Sequence, residues 1–197
     1  MDMSSYVSVG ITYSEYKKRI EKAVEEEQID SGNQSDDLIQ YSRLNLHRMN
    51  RVEKSVTLDI HLKSALKNLK EELTWLVISE GWCGDASQSL PIFAKIESES
   101  ENKIKMKIVF RDDNLELMDQ YLTEGSRSIP KLICLKNGKP LWSWGARPSA
   151  ANQLVKEYKL RNPENRKGYS EELHKWYAKD RGTEIQQELL QLIKSTV

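Results

Sequence analysis

The stretch that most constrains this chain runs from Leu73 to Pro91, Leu-Thr-Trp-Leu-Val-Ile-Ser-Glu-Gly-Trp-Cys-Gly-Asp-Ala-Ser-Gln-Ser-Leu-Pro. Trp75-Leu76-Val77-Ile78 is apolar at consecutive positions, so both faces of an extended segment would be apolar, the pattern of a central strand covered on both sides. The spacing predicts a strand over 73–79, a tight turn from Gly81 to Gly84, and a helix that opens at or beside Cys83. A cysteine at such a corner lies in the field of the unpaired N–H groups of the first helical turn, which favours the thiolate. Cys83 is therefore the candidate reactive residue.

The elements on either side build a layered α/β chain. Thr12 with Glu15 forms a capping box, and Tyr13, Tyr16, Ile20 and Val24 recur at helical spacing, predicting a helix of about five turns. Ser31 to Ser35 reads as a loop, with Ser35 or Asp36 capping a second helix over about 37–54 whose apolar positions are Leu38, Tyr41, Leu44, Met49 and Val52. Its other side carries Arg43, His47, Arg51 and Lys54, a stripe of positive charge that suits either a solvated face or an anion site. Thr57 opens a third helix with Leu58, Leu62, Ala65, Leu66 and Leu69 inward.

Beyond the turn, Pro91 falls inside the helix that begins near Cys83, where its missing N–H should bend it. Ile104 to Phe110 alternates as a second strand, and Leu115, Met118, Tyr121 and Leu122 predict a short helix stopped by Gly125. Lys131 to Leu135 is a third strand. Asn137-Gly138 is a hairpin signal, and Leu141 to Trp144 returns antiparallel, closed by Gly145. Helices are expected over 149–160, 170–178 and 183–195, the last two carrying Leu173, Trp176, Tyr177, Ile185, Leu189 and Ile193 as packing residues.

Composition narrows the function classes. Thirty basic and thirty acidic residues cancel, so no bulk charge points to nucleic acid or membrane, and a nucleic-acid role for the Arg43 to Lys54 face finds no support. The opening residues have neither a basic segment nor an apolar core of a signal peptide, which predicts a soluble, cytoplasmic protein. Two cysteines, Cys83 and Cys134, do not make a secreted disulfide framework, and histidines at 47, 61 and 174 have no metal-ligand spacing, so neither a metal nor a cofactor is expected.

Trp82-Cys83-Gly84 after a buried strand, Pro91 eight residues beyond the cysteine, Ile129-Pro130 opening the next long strand, the Lys136-Asn137-Gly138 hairpin and Gly145 after the last strand together resemble the thioredoxin superfamily. The resemblance covers roughly 57–160. It implies a thioredoxin-like fold, a central mixed sheet flanked by helices, with Pro130 in the cis form facing the thiol. On that basis residues 57–161 form the thioredoxin-like domain, 1–56 an N-terminal helical extension and 162–197 a C-terminal helical tail packed on the same domain. The decorated ends resemble a poorly characterised bacterial subfamily.

Departures from the family pattern bear on the chemistry. Alanine stands at position 86, where the family's resolving thiol would be; Val77 replaces the buried carboxylate six residues before the cysteine, and Ile108 would stand where its lysine neighbour falls. A dithiol reductase needs the second thiol to release its product. Cys134 lies four strand residues or about 13 Å beyond Pro130; with Pro130 facing Cys83, as the resemblance implies, the two thiols cannot meet without rearrangement, since bridged Cα atoms lie within about 7 Å. Cys134 reads as a small buried hydrophobe.

What remains is a single-cysteine exchange protein acting on protein thiols or mixed disulfides, including those with a low-molecular-weight thiol, in cell redox homeostasis. Cys83 is the nucleophile; Trp82, Gly84, Asp85, Ala86, Ile129 and Pro130 form the substrate site, with the Asp85 and Ala86 N–H groups stabilising the thiolate. Glu80 and Asp85 would oppose ionisation if they faced the sulfur. The alternatives are an inert Cys83 and a redox-inactive binding module that holds a protein partner.

Overall fold

The computed structural model describes residues 3–27 and 36–196. The loop expected over 31–35, with its capping Ser35, lies outside the described residues. Three long strands fall where alternation and apolar runs place them: β1 (Leu73–Ser79), β2 (Ile104–Phe110) and β3 (Lys131–Lys136), with β4 (Lys139–Gly145) returning through a hairpin in which Asn137 and Gly138 both take positive φ. That pair of left-handed residues matches the twist of the strands it joins. The sheet order is β2-β1-β3-β4, with β1 and β2 parallel and the other pairs antiparallel. The β2 edge is capped by Ile11, whose N–H and carbonyl both bond to Ile108, so β2 does not present that part of its edge to other chains.

Helices cover the sheet. Before β1 come α1 (Ser4–Val9), α2 (Tyr13–Glu25), α3 (Asp36–Ser55) and α4 (Ile60–Lys67); α5 (Gly84–Glu99) follows β1 and α6 (Leu115–Met118) follows β2. After β4 come α7 (Ser149–Arg161), a 3-10 turn (Pro163–Asn165), α8 (Ser170–Asp180) and α9 (Thr183–Lys194). The Thr12–Glu15 capping box is present in both directions. α2 runs 13 residues rather than five turns, because Glu27 takes a positive φ just beyond it. α1 had no sequence signal, and Asp59 rather than Thr57 caps α4, accepting from the N–H groups of His61 and Leu62. α6 ends at Met118, well short of Gly125, and Leu122 stays exposed.

The inward face of α3 differs from the expected one. Ile39, Ser42, Asn45 and Met49 are buried, whereas Tyr41 and Leu44 are 52% and 44% exposed. Two polar residues can occupy that face because each is satisfied: Ser42 donates to the Leu38 carbonyl, and Asn45 donates to the carbonyl of Gly81 at 3.0 Å. α3 packs against α2 and α5, so the N-terminal helices lie against the turn that carries Cys83.

An aromatic cluster joins the sheet to the last helix. Trp75, Phe93, Trp142 and Trp144 meet edge to face at 5.5 to 6.1 Å. Trp144 donates from Nε1 to Glu188 on α9, whose other oxygen accepts from the N–H of Ser149 at the start of α7. Gln186 on α9 ties down the chain before α4, accepting from the Asp59 N–H and donating to the Thr57 carbonyl. The tail is thus docked through satisfied polar groups as well as through Leu173, Tyr177, Ile185, Leu189 and Ile193, all buried. Trp176 is only half-buried.

Candidate functional site

Cys83 is the N-cap of α5 in an extended conformation, so its side chain stands over the first turn. Its thiol donates to the Ile129 carbonyl at 3.3 Å, which places it against the loop entering β3. The Ile129–Pro130 peptide is cis. The structure therefore brings Cys83, Ile129 and Pro130 together, with Gly84, Asp85 and Ala86 forming the first turn beneath the sulfur. Trp82 is half-buried to one side, and the Arg111 guanidinium lies 4.8 Å from its ring centre.

The electrostatic balance left open by the sequence resolves against ionisation. Burial pushes the Cys83 thiol up to about 12, with the Asp85 carboxylate adding to it; the N–H groups of Ala86 and Asp85 and the Arg147 guanidinium pull the other way without prevailing. Helix N-terminal donors lower a thiol's pKa when solvent also shares in stabilising the anion. Here Cys83 is 8% exposed, and Ile129 and Pro130 are buried with it, so the open substrate groove expected beside the sulfur is closed in this conformation. Glu80 turns its carboxylate to the Asp112 N–H at 2.9 Å.

Asp85 holds a central place. Its Oδ2 receives Arg147 from Nε at 3.0 Å, and its Oδ1 receives the Tyr177 hydroxyl at 2.7 Å. Burial alone would lower the Arg147 pKa, but Asp85 holds it above its ordinary value, while burial and Asp85 both raise Tyr177. Arg147 also faces the ring of Tyr169. Tyr169 and Tyr177 belong to the tail, so the C-terminal segment helps to cover the thiol. Sequence reading missed Arg147 and Asn45, and placed Tyr177 only as a packing residue. Asn45 reads as a solvent residue beside Ser42, and for Arg147 no local pattern exists; helical spacing marks Tyr177 as buried but not as a partner of Asp85.

Position 86 holds alanine, 2% exposed, directly under the sulfur. Val77 and Ile108 are register partners on β1 and β2, both buried, so an apolar pair occupies the place of the carboxylate and lysine implied by the resemblance. Cys134 lies in β3 opposite Trp75 and Trp142, fully buried, and burial raises its thiol to about 12. Both cysteines are free. Among the described residues no group of three or more His, Cys, Asp or Glu is placed to hold a metal ion.

Known proteins resemble parts of this chain. Thioredoxin 1 of Nostoc sp. is 38% identical over 58 residues, 29% of this chain and 51% of that protein. The thioredoxin of Bacillus subtilis is 33% identical over 73 residues, 36% of this chain and 67% of its own length. The chain spans about half the length of most of the curated relatives it matches. In structure it resembles a protein of unknown function from Pseudomonas aeruginosa, at a TM-score of 0.70 and 15% identity, over 100% of this chain and 99% of that one, a likeness of fold. A family described as thioredoxin matches residues 31–159, more than half of the sequence. The strand, turn, capping cysteine and Ile129-Pro130 loop all fall inside that match, and this chain belongs to the thioredoxin family.

Proposed function

We propose that the protein is a bacterial, cytoplasmic thioredoxin-like protein that carries out thiol–disulfide exchange in redox homeostasis through Cys83 alone. The observation that carries this reading is the 3.3 Å approach of the Cys83 sulfur to the Ile129 carbonyl, which sets a lone nucleophile beside the backbone where an extended substrate segment would pair. Residues 57–161 carry the chemistry; 1–56 and 162–197 act as its cover. Trp82, Gly84, Asp85, Ala86, Ile129 and Pro130 line the substrate path.

In the exchange the Cys83 thiolate attacks one sulfur of a mixed disulfide. A new S–S bond forms to Cys83, the old one breaks, and the leaving thiolate takes a proton from water. A low-molecular-weight thiolate then attacks the Cys83 adduct, forms a disulfide with the bound group and returns Cys83 as thiolate. No cofactor or metal enters. Burial keeps the Cys83 thiol protonated at neutral pH in the closed conformation, so exchange proceeds from a state in which the cover has opened.

A specific observation favours a second reading, a binding module without turnover: the same burial of Cys83. Incubation with a small aromatic disulfide, read by intact mass with Cys83→Ser and Cys134→Ser controls, separates the two. Exchange predicts a single adduct at Cys83 that a low-molecular-weight thiol removes. No adduct above the Cys83→Ser background ends the exchange reading and favours the module.

A further inference from the structure

We propose that the seam between α3 and α8 is a docking site for an extended acidic peptide segment with an apolar anchor residue. Two adjoining cavities run along this seam, of about 780 Å³ and about 290 Å³, and Arg51 lines both. Arg48 and Arg51 stand one turn apart on α3, and neither guanidinium has a carboxylate partner among the described residues. Arg48 donates to the Asn45 side-chain oxygen at 2.8 Å, and Arg51 reaches the Gln88 side-chain oxygen at 3.3 Å. Arg181 lines the smaller cavity with no side-chain hydrogen bond or ion pair among the described residues. Each guanidinium carries five N–H donors, so most remain open to a ligand.

Nearby carboxylates are already engaged. Asp85 is taken by Arg147 and Tyr177, and Glu171 on the rim is paired with Lys175 at 2.6 Å. His174, whose ring packs over Gly84, is held down to about 4 by burial and by the Arg48 guanidinium, so it faces the seam as a neutral group. An unanswered pair of cations in a concave, partly desolvated seam selects for anions, and the fork geometry of arginine suits carboxylates.

Shape and spacing favour a peptide over a small ion. Tyr41 and Leu44 are exposed at the wall of the larger cavity, against the general pattern of α3, and offer an apolar patch that a free anion would not use. Side chains at i and i+3 of a helix sit about 5–6 Å apart, and alternate side chains of an extended strand point the same way about 6.8 Å apart. Two acidic residues at i and i+2 of an extended segment therefore reach Arg48 and Arg51 together, with Arg181 further along. The stripe noted in the sequence contributes Arg51 and His47 to this seam; Arg48, outside the stripe, supplies the inner charge.

The site needs no thiol, so it is tested on the Cys83→Ser protein, whose binding is independent of exchange. The probe is a fluorescein-labelled hexapeptide with glutamates two residues apart and a leucine beside them, measured by anisotropy. Binding is expected to weaken at least about tenfold in Arg51→Glu and in Arg181→Glu, each checked by circular dichroism for retained fold, and to weaken as salt rises from about 0.1 M to about 1 M, where the screening length falls from about 10 Å to about 3 Å. Leu44→Ser should weaken it severalfold. Equal affinity for the glutamine version of the peptide, unchanged affinity in folded Arg51→Glu, or displacement of the peptide by inorganic phosphate at equal concentration overturns the proposal.

Discussion

Tyr177 on α8 donates its hydroxyl to Asp85 at 2.7 Å across 92 residues of chain, while Arg147 grips the other carboxylate oxygen of the same residue. Asp85 is two positions past Cys83, so the C-terminal tail is wired into the first turn beneath the thiol. Burial does most to keep this helix-N-terminal cysteine protonated, and the Asp85 carboxylate adds to it. The negative charge that would destabilise a thiolate is itself held in place by two partners from the far end of the domain.

Asp85→Asn removes that charge and leaves Arg147 unmatched beside the sulfur. The midpoint of Cys83 alkylation against pH should move down from the parent's value, and stability should drop by roughly 3 kcal/mol as a buried ion pair is broken. Tyr177→Phe is the matching control: it removes about 1.5–3 kcal/mol of charge-assisted hydrogen bonding but no charge. Iodoacetamide rates at a series of pH values, with thermal melts, distinguish the two. An unshifted midpoint in Asp85→Asn would show that burial alone governs the thiol.

Ala86→Cys places a second thiol one turn along α5 from Cys83. Cα atoms three apart along a helix lie about 5 Å apart, inside the range of about 4.4–6.8 Å that a disulfide spans. The oxidised variant should show one titratable thiol after denaturation, Cys134, where the parent with its two cysteines shows both. Thiol counting before and after reduction reads the outcome directly.

Gly145→Ala is expected to destabilise the domain. Gly145 takes φ +114°, and an added Cβ would run into the Pro130 carbonyl. Backbone strain of this kind costs on the order of 1–3 kcal/mol before any overlap is relieved. A fall in melting temperature of several degrees checks it, and because Pro130 adjoins Ile129, faster Cys83 alkylation should accompany the change.

His174 makes stability depend on pH. Its folded pKa of about 4 lies below the ordinary value near 6.5, chiefly through burial and then through Arg48. Between those values the unfolded chain binds more protons than the folded one, so stability is complete above about pH 6.5 and declines as pH falls toward 4. Melting curves at pH 7.5 and pH 5 should show that loss in the parent and a smaller one in His174→Gln. Titration of the His174 ring signal by NMR with a midpoint near 6.5 would contradict the assignment.

Much of the framework was legible because it is written in near neighbours. Alternation placed β2, an apolar run placed β1, Asn137-Gly138 placed the hairpin, Thr12 with Glu15 placed the start of α2, and a cysteine after Gly81-Trp82 marked the start of α5. Each of these signals depends on residues a few positions apart, where backbone geometry alone brings side chains to one face. The inward face of α3 was not legible, since Ser42 and Asn45 look like solvent residues until carbonyls of Leu38 and Gly81 are there to accept from them. Nor was the early end of α6.

The sequence by itself determined the order of elements, the position of a lone cysteine at a strand-to-helix corner, and the absence of a partner thiol at Ala86. Only the tertiary structure decided that the cysteine is covered and protonated, and that Arg48 and Arg51 face a seam rather than open water. Ionisation and burial are sums over everything within a few ångströms, and here those groups come from residues 62 and 92 positions away from Asp85. No local pattern records such separations; packing of the tail against the first turn of α5 creates them.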